Sequence, residues 1–208
     1  MQYFKKKEYQ NQNFKNLLEI SKTLKNIQNF IFYGTLLGIV RNNNIIIGDD
    51  DIDFLVDYKD KNKVLKKMKL SKSFKINKMR KNNFFIQFNK TVNGMKTCVD
   101  FYFYNNYSNK NYIVERHNWL YSVNNPKFAL HVPKKYIFPI KKDKYLKKIS
   151  IPSKPEKLCE FLYGQDWKTP LKKHTGYRHE IVDNKPLLIK RSYIGFLTRS
   201  FKNIFKSL

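Results

Sequence analysis

The sequence predicts an α/β (α+β) domain, on three observations. Short apolar runs of strand period alternate along the chain with stretches of helical period. Asn93-Gly94 divides two strand-like runs, the strongest short hairpin signal, because both residues tolerate positive φ. The 208 residues, 41% hydrophobic and 16% aromatic, suffice for one core.

In chain order, Phe14, Leu17, Leu18, Leu24 and Ile27 recur near helical spacing and predict an amphipathic helix over 12–29. Phe30-Ile31-Phe32-Tyr33 predicts a short buried strand stopped by Gly34. Thr35 to Arg41 then form a helical turn, and Asn42-Asn43-Asn44 a loop. A strand from Asp50 to Val56 places Ile52, Phe54 and Val56 on one face and Asp51, Asp53 and Leu55 on the other, since strand side chains alternate. Val64, Leu65 and Met68 predict a helix over 60–69. Strands follow at 84–88 and 96–104; in the second, Val99, Phe101 and Phe103 alternate with Asp100, Tyr102 and Tyr104. Residues 105–150 read as irregular. Ser153 and Glu156 make a capping box, with Pro155 in the first turn and Gly164 as stop, for a helix over 155–163. Ile194, Leu197, Phe201, Ile204 and Phe205 predict a basic amphipathic helical extension. No repeat or linker is evident, so the chain reads as one domain over 1–188 and a tail over 189–208.

Composition narrows the class further. The apolar content excludes a disordered basic tail, and seven Gly with seven Pro exclude collagen-like chains. Two cysteines, Cys98 and Cys159, cannot build a disulfide scaffold and are expected to be buried apolar residues. No apolar run reaches the roughly 18 residues of a spanning helix, and the start lacks a signal-peptide core. The expected location is therefore cytoplasmic, possible peripheral contact with an anionic membrane through the tail being the added option. Lys and Arg number 42 against 16 Asp and Glu, a net charge of +26, which suits a polyanion partner. Yet 36 of the basic residues are Lys, alongside much Asn, Ile, Phe and Tyr, as A/T-rich coding would produce. Lys is also the poorer residue for bidentate base or phosphate recognition, so nucleic acid is the less favoured partner.

The scarce acids are more informative. Six of the 16 fall between residues 49 and 60, and from 61 to 114 only Asp100 occurs. Acids packed so tightly repel one another unless a cation neutralises them. Gly34, Gly38 and Gly48 immediately precede or enter this run. A glycine at a strand end allows close approach of a phosphate, which the next helix's first amides and the Thr35 hydroxyl are placed to bind. Asp51 and Asp53, at i and i+2 on one strand face, are spaced to share a divalent metal, and Asp100 on a neighbouring strand would complete a phosphoryl-transfer site. Asp57 and Asp60 read as solvated or helix-capping. His117, His131, His174 and His179 have no tight metal spacing and read as surface or packing residues.

Tyr33-Gly34-Thr35-Leu36-Leu37-Gly38-Ile39-Val40-Arg41, followed by Gly48-Asp49-Asp50-Asp51-Ile52-Asp53, resembles the GTLLGxxR…DDDID signature of the LicD/fukutin family. Val99-Asp100-Phe101-Tyr102 is similar to the family's later hydrophobic-Asp-hydrophobic strand. Leu158 to Gly164, with Trp167 and Pro170, resembles its C-terminal YG…W…P segment. Gly48 stands where the family usually has an aromatic residue, and the loop at Asn42 to Ile45 lacks the usual Gly. The zinc-binding cysteines of the animal relatives have no counterpart.

The resemblance implies a nucleotidyltransferase-like mixed sheet with flanking helices. It implies Mg²⁺- or Mn²⁺-dependent transfer of a phospho-substituent, of phosphocholine or alditol phosphate type, from a CDP-activated donor to a glycan or polysaccharide hydroxyl. It makes Asp51 and Asp53 metal ligands, with Asp49 beside them, and Asp100 the third carboxylate, as second-metal ligand or as base. Gly34, Thr35 and Gly38 would hold the donor phosphates, and Arg41 would pair with a phosphate or brace the acidic loop. Two other readings stay open: a nucleotidyltransferase moving NMP from an NTP to a small molecule or RNA, and a non-catalytic basic module that binds polyanions or membranes.

Overall fold

The computed structural model describes residues 2–79, 84–115, 129–170 and 177–190. Among them the central element is a seven-stranded mixed sheet. Its main path runs β1 (Asn29–Ile31), β2 (Asp51–Asp57), β5 (Met95–Asn105), β4 (Phe85–Val92) and β3 (Lys75–Met79). The short strands β6 (Tyr112–Glu115) and β7 (Leu130–Pro133) extend it beyond the end of β5. β2 and β5 are parallel neighbours, which requires the long crossover through α3 (Lys61–Leu70), β3 and β4; the other pairs are antiparallel. Asn93 and Gly94, at φ 50° and 74°, make the two-residue turn between β4 and β5.

One face of β2 and β5 is apolar throughout. Ile52 lies beside Val99, Phe54 beside Phe101 and Val56 beside Phe103, and the Phe54 and Phe101 rings stack at 5.7 Å. All six are buried, the large apolar area that drives the sheet together. Helix α1 (Gln2–Thr23) crosses this face, inserting Leu17 and Ile20, with Leu24 buried just after its end. The opposite face carries the acids. There α2 (Tyr33–Asn42) begins against β2 and packs on α5 (Pro155–Tyr163), while β6, β7 and the one-turn α4 (Lys134–Ile137) close the far end. Two small antiparallel pairs complete the described chain, β8 (Lys141–Lys142) with β9 (Ser150–Ile151) and β10 (Tyr177–Val182) with β11 (Lys185–Lys190).

Several expectations need revision. Helix α1 starts ten residues earlier than its apolar spacing suggests and ends at Thr23; its added N-terminal turns bury Gln10 and no apolar stripe that a period could reveal. Residues 105–150 contain β6, β7, α4, β8 and β9, strands too short to show a period. Helix α5 has the expected bounds and ends at Gly164 with φ 85°, but its N-cap is Lys154. Ser153 donates instead to the Tyr136 carbonyl at 3.1 Å, so no capping box forms. Residues 189–190 finish β11, and the predicted helical extension beyond them lies outside the described residues, as do Trp119, His117 and His174. No helix among the described residues is long and apolar enough to cross a membrane.

Candidate active site

The site is built where parallel pairing sets Asp53 directly beside Asp100, with Asp51 two residues earlier on the same face. Carboxylate oxygens of Asp51, Asp53 and Asp100 lie within 4.8 Å of one another. Asp53 and Asp100 are buried and Asp51 half-buried. Burial pushes the Asp53 carboxyl well above the usual range, and the charges of Asp51, Asp100 and Asp49 add to it. Asp100 is pushed up to about 7, first by burial and then by Asp51, against a hydrogen bond from Gln87 that favours its anion. A set of clustered hard oxygens that resists ionisation for want of positive charge fits a small divalent cation such as Mg²⁺ or Mn²⁺. Asp49 and Asp50 form a second group with Asp51 on the loop side.

The start of α2 is locked to this cluster from both directions. The Asp53 backbone N–H donates to Thr35 Oγ1 at 2.8 Å, and the Thr35 N–H donates to Asp53 Oδ2 at 3.4 Å. Phe32 N–H donates to the Asp53 carbonyl at 3.0 Å, continuing the ladder to the helix start. Thr35 is therefore buried as a positioning residue for Asp53 as well as lying at the helix N-terminus. A Cβ on Gly34 would stand 3.0 Å from Asp49 Oδ2 and 3.5 Å from Asp53 Oδ2, so glycine keeps the space above the carboxylates open. Tyr33 adopts φ 38°, a strained value for an aromatic residue. Its hydroxyl donates to Glu115 Oε2 at 3.0 Å, and its ring meets Tyr102 edge-on at 5.0 Å. Those contacts hold the turn that aims the first helical amides at the acids.

Gly38 and Arg41, the other two residues of the phosphate-binding expectation, lie farther along α2. Gly38 faces the loop after α2, where a Cβ would come within 2.6 Å of the Asn44 carbonyl oxygen and 3.0 Å of the Ile46 nitrogen. Its smallness lets that loop fold back toward the acids. Arg41 lies in the last turn of α2, close enough to α5 for its charge to act on Cys159. From Thr35 it is six residues along the helix, about 9 Å of rise.

Sequence reasoning missed the groups that hold the acids in place. On α1, Gln10 donates to the Ile45 carbonyl at 2.6 Å, Asn13 to the Asp49 carbonyl at 2.9 Å and Asn16 to Thr97 Oγ1 at 2.8 Å. Asn13 and Asn16 are fully buried. These amides share a stripe with Leu17, Ile20 and Leu24, and that continuity at helical spacing was the available signal. Gln87 Nε2 donates to Asp100 Oδ1 at 2.8 Å from the facing position of β4. The remaining expectations are met in part. Cys98 is only half-buried, because it sits on the acid face beside Asp51, where burial and Asp100 push its thiol to about 11; Cys159 is fully buried as expected. Asp57 caps the turn at Tyr58–Asp60 through the Lys59 N–H, and Asp60 pairs with Lys63 at 2.7 Å, but both are buried rather than solvated. His131 packs by stacking on Tyr112 at 4.1 Å.

The family model for the LicD/FKTN/FKRP nucleotidyltransferase domain matches residues 26–153, more than half of the chain and the stretch that holds all three carboxylates. The chain belongs to the LicD/FKTN/FKRP family. Membership implies a transferase with phosphotransferase-type activity on glycans and a nucleotidyltransferase-like fold. Helices α1 and α5 lie outside the matched stretch. Among solved structures, the chain is similar to a Thermotoga maritima protein assigned as a nucleotidyltransferase, at 10% identity and a TM-score of 0.32, over 95% of this chain and 89% of that one. No protein of curated function matches the chain.

Proposed function

We propose that this family member transfers a phospho-substituent, phosphocholine or alditol phosphate in type, from a CDP-activated donor to a glycan hydroxyl and releases CMP. The observation that supports this most is the triad of Asp51, Asp53 and Asp100 under the first turn of a helix whose Thr35 is bonded to Asp53. The donor pyrophosphate lies over Gly34 and Thr35, at the helix N-terminus that precedes the first intrahelical bond, Leu36 N–H to the Phe32 carbonyl. Asp51, Asp53 and Asp100 would hold a divalent ion, which would neutralise charge on the transferred phosphoryl group.

The acceptor oxygen forms a bond to the donor's distal phosphorus as the bond from that phosphorus to the bridging oxygen breaks, and CMP leaves with the bond's electron pair. The acceptor's proton passes to an acid-face carboxylate or to water. Gly34 keeps the space over Asp49 and Asp53 clear, and Thr35 and Gln87 fix the carboxylates of Asp53 and Asp100.

Incubation with CDP-choline, CDP-ribitol or NTPs, Mg²⁺ and a glycan acceptor tests the reading. CMP release from a CDP donor is expected, and Asp53→Asn should lower it at least about 100-fold while the melting transition persists. Pyrophosphate release from an NTP, or full activity in Asp53→Asn, would overturn it.

A further inference from the structure

On the transferase reading above, we propose that Lys6, near the start of α1, is a further phosphate-binding residue of this site: its ammonium takes up negative charge on the donor's diphosphate at the acidic loop. The residue lies outside the stretch that the family model matches, so it belongs to what this chain adds to the shared domain.

Helical spacing puts it there. Lys6, Gln10 and Asn13 stand at i, i+4 and i+7 on α1 and so share one stripe. Gln10 donates to the Ile45 carbonyl at 2.6 Å and Asn13 to the Asp49 carbonyl at 2.9 Å, so the stripe grips the loop before β2 at both its ends. Between those points lies Gly48, at φ 84° and without a side chain, and the stem of Lys6 crosses it. A Cβ on Gly48 would stand 3.2 Å from Lys6 Cγ, 3.3 Å from its Cδ and 3.7 Å from its Cβ. The aliphatic stem thus rests on the glycine while the residue as a whole is exposed, which leaves the ammonium at the loop surface.

That ammonium has no carboxylate partner among the described residues. Their ion pairs join Lys59 to Asp57, Lys63 to Asp60, Lys90 to Glu19 and Lys157 to Glu160. The loop that Lys6 crosses leads directly into Asp49, whose Oδ2 would lie 3.0 Å from a Cβ on Gly34, beneath the space given above to the donor diphosphate. A diphosphate set there meets the charges of Asp49, Asp50 and Asp51, and a divalent ion offsets only part of that repulsion. Lys78 acts electrostatically on Asp100, and Arg41 acts near α5, so of these three cations Lys6 is the one on the loop side. A lysine there presents a point charge whose N–H groups can all donate to phosphate oxygens.

The test is titration calorimetry on the full chain, with CDP, inorganic pyrophosphate or cytidine in the presence of Mg²⁺, and with Mn²⁺ alone. Lys6→Met keeps the stem and removes the charge. It should raise the dissociation constants of CDP and pyrophosphate about tenfold and leave cytidine unaffected. It should also tighten Mn²⁺ about twofold, because the ion loses a positive neighbour. Lys6→Arg, which keeps the charge, should bind CDP within about threefold of wild type. A merely structural role would move the two ligands the other way: a loosened loop weakens Mn²⁺ and CDP together. Parallel weakening of both, unchanged CDP and pyrophosphate binding in Lys6→Met, or no binding of either by the wild type would overturn the assignment. Pyrophosphate binding that depends on Lys6, with no CDP donor yielding CMP, would count against the transferase reading and leave the phosphate role of Lys6 standing.

Discussion

Replacing Asp100 by Asn should stabilise the metal-free protein at pH 8 and have little effect near pH 4. In the fold, burial and Asp51 push this carboxyl up to about 7, from an ordinary value of 3.8. Between those values the folded state holds a proton that the unfolded chain has released, so stability falls as pH rises through the window. A gap of about three pH units corresponds to at most about 4 kcal/mol. Asn removes the ionisation, and its Oδ1 still accepts from Gln87 Nε2, the bond that Asp100 receives at 2.8 Å. For a chain of this size the gain at pH 8 is up to roughly 8–16 °C in Tm. Thermal melts of both proteins from pH 4 to pH 8 in EDTA measure it, and the two curves should diverge with rising pH. Added Mg²⁺ should then raise the wild-type Tm at pH 8 more than that of the variant, since the ion stabilises the state it binds. Parallel curves across the window would show that Asp100 ionises freely in the fold and that the triad lacks the frustration ascribed to it.

Gly38→Ala sets a Cβ 2.6 Å from the Asn44 carbonyl oxygen and should cost about 1–3 kcal/mol in urea unfolding, as overpacking does. Asn13→Ala leaves the Asp49 carbonyl without its buried donor and should cost about 1–3 kcal/mol; it should also weaken Mn²⁺ binding several-fold by calorimetry, because the acidic loop loses a fixed point. Tyr33→Phe removes one donor to buried Glu115 and a support for the strained turn at φ 38°, and a loss of about 1–3 kcal/mol in the same unfolding assay is expected.

Local periodicity made much of the framework readable. The strand from 50 to 56, the helices over 60–69 and 155–163, and the Asn93-Gly94 hairpin all follow from period and turn chemistry, which act within a few residues. A two-residue turn at 93–94 fixes the antiparallel register, and that register sets Gln87 opposite Asp100. Asp51 and Asp53 shared a face by alternation alone. Their meeting with Asp100 depends on a parallel pairing closed by a crossover of some forty residues, and no local pattern sets that register. The same holds for α1: helical spacing puts Asn13 and Asn16 on the stripe of Leu17 and Ile20, and the fold decides that this stripe meets the acidic loop and β5. Gly38 and Arg41 show the reverse: one stretch of sequence joined them to Gly34 and Thr35, but helix rise carries them to the loop and to α5. The types of residue needed for the chemistry were thus present in the linear chain, while their distances and the amides that hold them came from strand register and helix packing, both long-range properties of the folded chain.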